Sequence, residues 1–174
     1  MTYSQPQPPV PPRQPGAVAA VAPPSIKNAV WAMYAGAALS ALSTIIGLTT
    51  KTQVMDAYRR ALIEDGESVA RVNELVDNAS TAWAPTAIAS GLIGLLLWIW
   101  MAMANGKGKK WARIVATVLF AINTIGTIYT FFSVPRPHGI SMVINVLMWL
   151  AGLAAIYFLY TKESSAFFDR ASVR

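Results

Sequence analysis

Residues 84–113 decide the fold, and they read APTAIASGLIGLLLWIWMAMANGKGKKWAR. The first part, 84–106, contains no Asp, Glu, Lys or Arg, and it is long enough to cross the ~30 Å hydrocarbon core, which takes roughly 20 helical residues. Three further windows are free of these charges: 28–50, 114–135 and 139–161. We therefore predict an all-α membrane protein, a four-helix transmembrane bundle with spans at about 29–49, 84–104, 112–132 and 140–161.

The end of the quoted stretch indicates how the bundle lies in the membrane. The turn after span 2 carries four basic residues and no acidic one, which is typical of a cytoplasmic loop. With both termini on the same side as this turn, that side holds nine Lys and Arg residues and the opposite side five. We expect a multi-pass protein of the cell (plasma) membrane with a cytoplasmic N-terminus and a cytoplasmic C-terminus.

The segment 51–83 differs from the spans because it holds six of the eight acidic residues of the chain. Apolar residues recur in it at helical spacing, in two runs separated by Gly66. Gly66 is suited to end the first run in a left-handed cap. We predict an external helical loop, built as a hairpin or as two helical pieces, whose apolar stripe lies on the span ends or receives a partner.

The two ends of the chain are predicted to be tails. Residues 1–28 form a proline-rich, disordered cytoplasmic tail, since eight of the eleven prolines lie in the first 25 positions. Residues 162–174 form a cytoplasmic C-terminal tail, in which Phe167 and Phe168 are expected to rest on the membrane surface.

Small residues dominate the centre of span 1. The pairs Gly36/Ser40 and Ala37/Ala41 have the spacing of four that lets helices approach closely. Small residues are common in any transmembrane helix, but this density favours span 1 as a central packing helix.

The composition argues against several classes of chemistry. The chain has no cysteine, which excludes disulfides, thiol redox chemistry and zinc–thiolate sites. The single histidine, His138, lies beside Arg136 with no carboxylate nearby and is a weak candidate for catalysis or metal binding. We expect no catalytic residue, no cofactor and no metal. We also expect no nucleic-acid partner, because the basic residues flank the spans.

Two sets of polar residues are candidates for structural or lipid contacts. Asn123, Thr127 and Asn145 lie inside spans 3 and 4, and across a tight antiparallel turn Asn145 should reach the depth of Thr127. We favour interhelical hydrogen bonding for them over a polar conduit. The basic turn is a candidate for contact with anionic lipid headgroups, through Lys107, Lys109, Lys110 and Arg113.

Partner binding is expected at the bilayer and at two segments of the chain. Residues 8–13, PPVPPR, have the Pro-x-x-Pro-x-Arg spacing that aromatic grooves recognise. A protein partner could therefore bind residues 1–25 or the external loop 51–83, and homo-oligomerisation is a further option.

The arrangement resembles the small four-span membrane proteins of uncharacterised function found in actinobacteria and their phages. The resemblance covers most of residues 23–168 and is carried by Pro23-Pro-Ser25 before span 1, by Gly108-Lys-Lys-Trp-Ala-Arg-Ile-Val115 at the start of span 3, and by Ser164-Ser-Ala-Phe-Phe168. It implies the four-span fold, the proline-rich cytoplasmic tail and the acidic external loop. It implies no activity and assigns no functional residue.

The sequence thus favours a non-enzymatic interaction or scaffold protein of the cell membrane. The alternative is a subunit of a transporter or of an oligomeric pore lined by Asn123 and the neighbouring threonines. An enzyme acting on lipid or envelope substrates is the third hypothesis.

Overall fold

The computed structural model describes residues 21–132 and 139–171, and within these ranges the chain is helical with no strand. Six helices follow one another along it: α1 Pro24–Thr49, α2 Lys51–Glu64, α3 Val69–Gly106, α4 Lys110–Phe132, α5 Gly139–Leu159 and α6 Lys162–Ala171. Four of them, α1, α3, α4 and α5, are long and apolar enough to cross a membrane. This confirms the predicted all-α bundle with four candidate spans.

The first helix begins inside the segment that was predicted to be a tail. Pro24 is its first residue, a position where the missing backbone N–H costs no hydrogen bond. The Lys27 N–H donates to the Pro23 carbonyl at 3.2 Å and closes the first turn. Residues 24–28 therefore belong to α1, whereas residues 1–20 lie outside the described part of the chain.

The turn between α2 and α3 has the geometry that the sequence predicted. Gly66 adopts φ +82°, in the left-handed region. The N–H of Gly66 donates to the Ile63 carbonyl at 3.0 Å and that of Glu67 donates to the Leu62 carbonyl at 3.1 Å, which is the Schellman pattern. The Ser68 hydroxyl then accepts from the Arg71 N–H at 3.3 Å and caps α3.

Helix α3 is longer than the predicted span, because it runs without interruption from Val69 to Gly106 over 38 residues. Pro85 lies inside this helix rather than at its start. The segment before Pro85 stays helical because it packs on α2, which buries Val72 and Val76 to 1% and 6% exposure. The two helices form a hairpin, residues 51–83, that is continuous with the bundle.

Helix α1 is the centre of the bundle, as its small residues predicted. It makes most of its contacts with α3 and α5, and its Gly36, Ala37 and Ser40 are buried. Helix α4 is peripheral, because it packs mainly on α5 and meets α3 over fewer residues.

The hydrophobic core lies at one end of the bundle, which we call the basic end because it carries the Lys107–Arg113 turn. Here the N-terminal part of α1 meets the C-terminal parts of α3 and α5, the start of α4, and α6. The opposite end carries the α2/α3 hairpin, and we call it the hairpin end.

The prediction for Phe167 and Phe168 was wrong. They are not on the membrane surface but buried in this core, at 4% and 1% exposure, on the amphipathic helix α6. The physical reason is that both rings lie on one face of α6 and cover apolar residues of α1 and α5, Ile26, Ala29 and Leu159. Residues 162–171 are therefore part of the fold.

Candidate functional site

Arg113 is the most highly connected charged residue at the basic end. It extends from the first turn of α4 towards α6, where its Nη1 donates to the Ser165 hydroxyl at 3.2 Å. Its guanidinium carbon lies 3.7 Å from the centre of the Tyr160 ring, and the Tyr160 hydroxyl is 3.0 Å from Thr117 Oγ1. Stacking on an aromatic ring restricts the motion of an arginine side chain that would otherwise be mobile at the surface. Arg113 therefore ties α4 to α5 and α6.

Lys110 is also committed to α6, through an ion pair of 2.8 Å with Asp169. The hydrogen bond from Lys110, together with its positive charge, holds the pKa of the Asp169 carboxyl below its ordinary value. The pair is exposed to solvent, and such pairs contribute little to stability. It links α6 to the first residue of α4.

The structure thus divides the four basic residues that were predicted to contact lipid. Lys110 and Arg113 have partners in α6, whereas Lys107 and Lys109 are exposed. Trp111 lies next to them, with its ring 5.3 Å from that of Trp100 and 5.9 Å from the Lys109 ammonium. Two cations beside two indoles match the chemistry of a membrane interface.

A buried polar contact joins α1 to α6. The Ser164 hydroxyl, fully buried, lies 2.9 Å from the Ser25 hydroxyl and 2.6 Å from the Phe158 carbonyl. This contact was missed by the sequence analysis, because the two serines are 139 positions apart and neither lies in a recognisable motif.

The polar residues of spans 3 and 4 do not form one cluster. Thr127 Oγ1 and Asn145 Oδ1 are 3.2 Å apart, at the shared depth that we expected. Thr124 Oγ1 accepts from the Trp149 indole N–H at 3.0 Å, a second polar contact between α4 and α5. Asn123 points elsewhere, and within the described ranges its side chain makes no hydrogen bond.

Asn123 lines a cavity of about 240 Å³ between the four spans, which we call the inner cavity. Each spanning helix contributes to its wall, and most of the lining is apolar, including Met101 and Ile156. The aromatic part of the wall is made by Trp98 and Phe120. Glycines make this arrangement possible, since a Cβ on Gly152 would come within 2.8 Å of the Phe120 ring.

A second cavity of about 390 Å³ continues towards the hairpin end between α1 and α3, and we call it the outer cavity. It shares Ser40 and Met148 with the inner cavity. Hydroxyl groups line much of it: Ser40, Ser43, Thr44, Thr86 and Ser90. Ser40 was expected only to pack against a neighbouring helix, although hydroxyl residues on two facing helices rich in small residues could have indicated a polar cavity.

The remaining predicted sites lie outside the described residues. His138, Arg136 and the PPVPPR motif at 8–13 belong to this group. Within residues 21–132 and 139–171, no three Asp, Glu or His side chains are grouped so that they could hold a metal ion. Comparisons with protein-family models, with curated proteins and with solved structures found no match to this chain.

Proposed function

We propose that this chain is a non-enzymatic contact protein of the cell membrane, with both termini cytoplasmic, that binds a protein partner through the tip of its external hairpin. The observation that supports the proposal best is the continuity of α3 from the bundle into the hairpin. The 38 residues of α3 span about 57 Å at 1.5 Å per residue, of which residues 69–83 account for about 22 Å outside the predicted span. The hairpin is therefore joined to the bundle by continuous helix rather than by a loop.

The two helices of the hairpin bury side chains between them, whereas the side chains at its tip remain exposed to a partner. Val72 and Val76 are buried between α2 and α3, and Arg59 Nη1 donates to Asn73 Oδ1 at 2.7 Å across the pair. The apolar stripe, which was predicted to lie on the span ends or to receive a partner, is therefore largely used to join the two helices. At the tip, Ile63 and Val69 remain 57% and 75% exposed.

The charge around the tip indicates the chemistry of the partner. Three exposed acidic residues, Glu64, Asp65 and Glu67, lie between the two exposed aliphatic side chains. Apolar anchors with three acidic residues between them favour a partner surface with an apolar patch and basic groups beside it. We propose such a surface as the binding partner of the tip.

The proposed orientation rests on the distribution of charge. Lys107 and Lys109 are exposed at the basic end, next to the paired indoles of Trp100 and Trp111. At the cytoplasmic face these ammonium groups would contact anionic lipid headgroups, at about 1 kcal/mol each. In this orientation the acidic hairpin lies on the external side of the membrane.

The alternative function, transport or a pore, is favoured by one observation: Asn123 lines the inner cavity and several hydroxyl groups line the outer one. No ionisable side chain of the described residues lines either cavity, and ion paths usually carry such residues. If the chain forms a transporter or a pore, the solute that passes is therefore uncharged. Solute flux into liposomes containing the protein, compared with Asn123→Leu liposomes, tests it.

Site-specific photocrosslinking tests the contact proposal. A photoreactive amino acid at position 63 or 69 should give a discrete adduct with a second protein in native membranes. The same residue at Ile125 is the control, since this α4 side chain is 69% exposed on a predicted span and should meet lipid. Val69→Glu in the chain with the photoreactive residue at position 63, and Ile63→Glu in the chain with it at position 69, should each weaken the adduct without lowering the melting temperature.

Two results would contradict the proposal. The first is an identical adduct pattern at positions 63, 69 and 125. The second is a full wild-type phenotype after deletion of residues 55–79 in a chain that still inserts into the membrane.

A further inference from the structure

Ser40 is a buried hydroxyl in the middle of α1 whose polar atom faces the cavities. The residue is 7% exposed and lines both the inner and the outer cavity. Within the described part of the chain its Oγ makes no hydrogen bond, whereas the neighbouring Thr44 hydroxyl donates to the Ser40 carbonyl at 3.0 Å. A hydroxyl inside a membrane bundle normally finds a partner, because an unpaired polar group there is costly. Ser40 therefore offers an unpaired hydroxyl to a hydrogen-bonding group that enters the cavity.

Asn123 supplies a second polar group to the same space. It lines the inner cavity from α4, close to the middle of its predicted span, as Ser40 does in α1. Its amide makes no hydrogen bond within residues 21–132 and 139–171. An amide both donates and accepts, and a hydroxyl does the same, so together they suit a ligand with a hydroxyl or carbonyl group.

The inner cavity is open towards the membrane between α3 and α4. Leu97 of α3 and Asn123 of α4 line it and are also exposed at the surface of the bundle. Helix α4 leans on α5 rather than on α3, which leaves this side accessible. A ligand dissolved in the bilayer can reach the cavity sideways, without passing through water.

The walls define the rest of the ligand. Trp98, Phe120 and Met101 offer apolar surface on the side of the basic end. No charged side chain of the described residues lines either cavity, so a charged group would lie at the membrane interior without a counter-ion. The ligand is therefore neutral.

The volumes set its size. At roughly 30 Å³ for each water-sized group, the inner cavity holds about eight such groups and the outer one about thirteen. Ser40 and Met148 lie where the two meet. A body of about eight non-hydrogen atoms therefore fits the inner cavity, and a longer molecule extends into the outer one.

We propose that the bundle binds a neutral amphiphile taken from the membrane, with its apolar body against Trp98 and Phe120 and its uncharged hydroxyl or carbonyl group hydrogen-bonded by Ser40 and Asn123. This proposal goes beyond the hairpin contact and does not depend on it. The acyl chain of a bulk phospholipid is the competing occupant, and it has no hydrogen-bonding group at that depth.

Photolabelling with a ten-carbon primary alcohol that carries a diazirine in its chain tests the proposal on the full chain in detergent micelles. Labelled positions should map to residues 94–101 and 116–123. Unlabelled decanol should compete, and decane at the same mole fraction should not, because it lacks the hydroxyl. Ser40→Ala and Asn123→Leu should each lower the labelling about threefold, the change expected when one hydrogen bond inside a bilayer is lost.

Thr49→Ala is the matched control, since it removes a hydroxyl of α1 that bonds to the carbonyl of Ile46 in its own helix and lines neither cavity. Its labelling should equal that of the wild type. If Asn123→Leu does not fold, as judged by its melting temperature, the Ser40→Ala result decides. Labelling that decane competes as well as decanol, or that Ser40→Ala leaves unchanged, would show simple filling by apolar chains and overturn the proposal.

Discussion

Single residues determine how closely the helices of this bundle approach. Gly36 of α1 lies directly against the Trp98 ring of α3, and a Cβ at this position would come within 2.8 Å of three ring atoms. Contacts below 3.0 Å force a neighbour to move, and an indole packed between helices has little freedom to do so. Close packing of this kind replaces the hydrophobic effect as the force between helices in lipid.

We therefore expect Gly36→Ala to destabilise the bundle by about 1–3 kcal/mol, the usual cost of overpacking. Gly47→Ala is the control on the same helix, because no atom lies within 4 Å of its Cβ position. Thermal unfolding in micelles should show a lower midpoint for the Gly36 variant alone. Equal midpoints for the two variants would contradict the close contact.

The contact between Thr127 and Asn145 makes a second prediction at this scale. A double-mutant cycle with Thr127→Val and Asn145→Leu should give a coupling free energy of about 0.6 kcal/mol, typical of hydrogen bonds between membrane helices. The same cycle with Asn123→Leu in place of Thr127→Val should give almost none, since Asn123 faces the inner cavity. Unfolding free energies measured in mixed micelles provide both values, and a larger coupling for Asn123 would refute the assignment.

At the scale of elements, α6 acts as a cover for the basic end. It places Phe167 and Phe168 in the core, hydrogen-bonds Ser164 to Ser25, and pairs Asp169 with Lys110. Gly108 has φ +70° and lies in the turn before α4. Because it has no side chain, this turn can pass close to α6, and a Cβ added to Gly108 would lie 2.9 Å from the Phe167 ring. The first and last described helices are thereby joined through one small core.

Removal of the Phe168 ring should detach α6 from the basic end. Phe168→Ala removes a side chain that is 1% exposed, and such substitutions in cores cost about 3–5 kcal/mol. Tryptic cleavage after Lys162 should become faster as α6 detaches. Phe132→Ala, at a position 83% exposed, should leave the cleavage rate unchanged. If both variants are cleaved at the wild-type rate, the burial of α6 does not hold the C-terminal segment in place.

At the scale of the whole molecule, the proposed orientation can be measured directly because the chain has no cysteine. Glu67 and Lys109 are exposed at opposite ends of the bundle. Glu67 is preferable to the adjacent Ser68, whose hydroxyl caps α3. Glu67→Cys should react with an impermeant maleimide in intact cells, and Lys109→Cys should react only after permeabilisation. The reverse pattern would invert the orientation and leave the four helices as they are.

Much of the fold follows from local features of the sequence. The four charge-free windows predicted the four long helices, because crossing a bilayer requires about 20 apolar residues in a row whatever lies next to them. The glycine at position 66 predicted a left-handed turn there, and the small residues of α1 predicted that this helix lies at the centre of the bundle. These are properties of short stretches, so the sequence by itself determined them.

The tertiary structure decided the rest. That α6 is a buried cover rather than a surface tail depends on core residues of α1, α3, α4 and α5. That Asn123 lines a cavity while Asn145 bonds to α4 depends on how α4 leans on α5. The physical reason is that hydropathy records which residues avoid water, and in a membrane lipid and protein satisfy that preference equally well. Only the packing of distant helices determines which apolar faces meet each other and which polar groups face the space left between them.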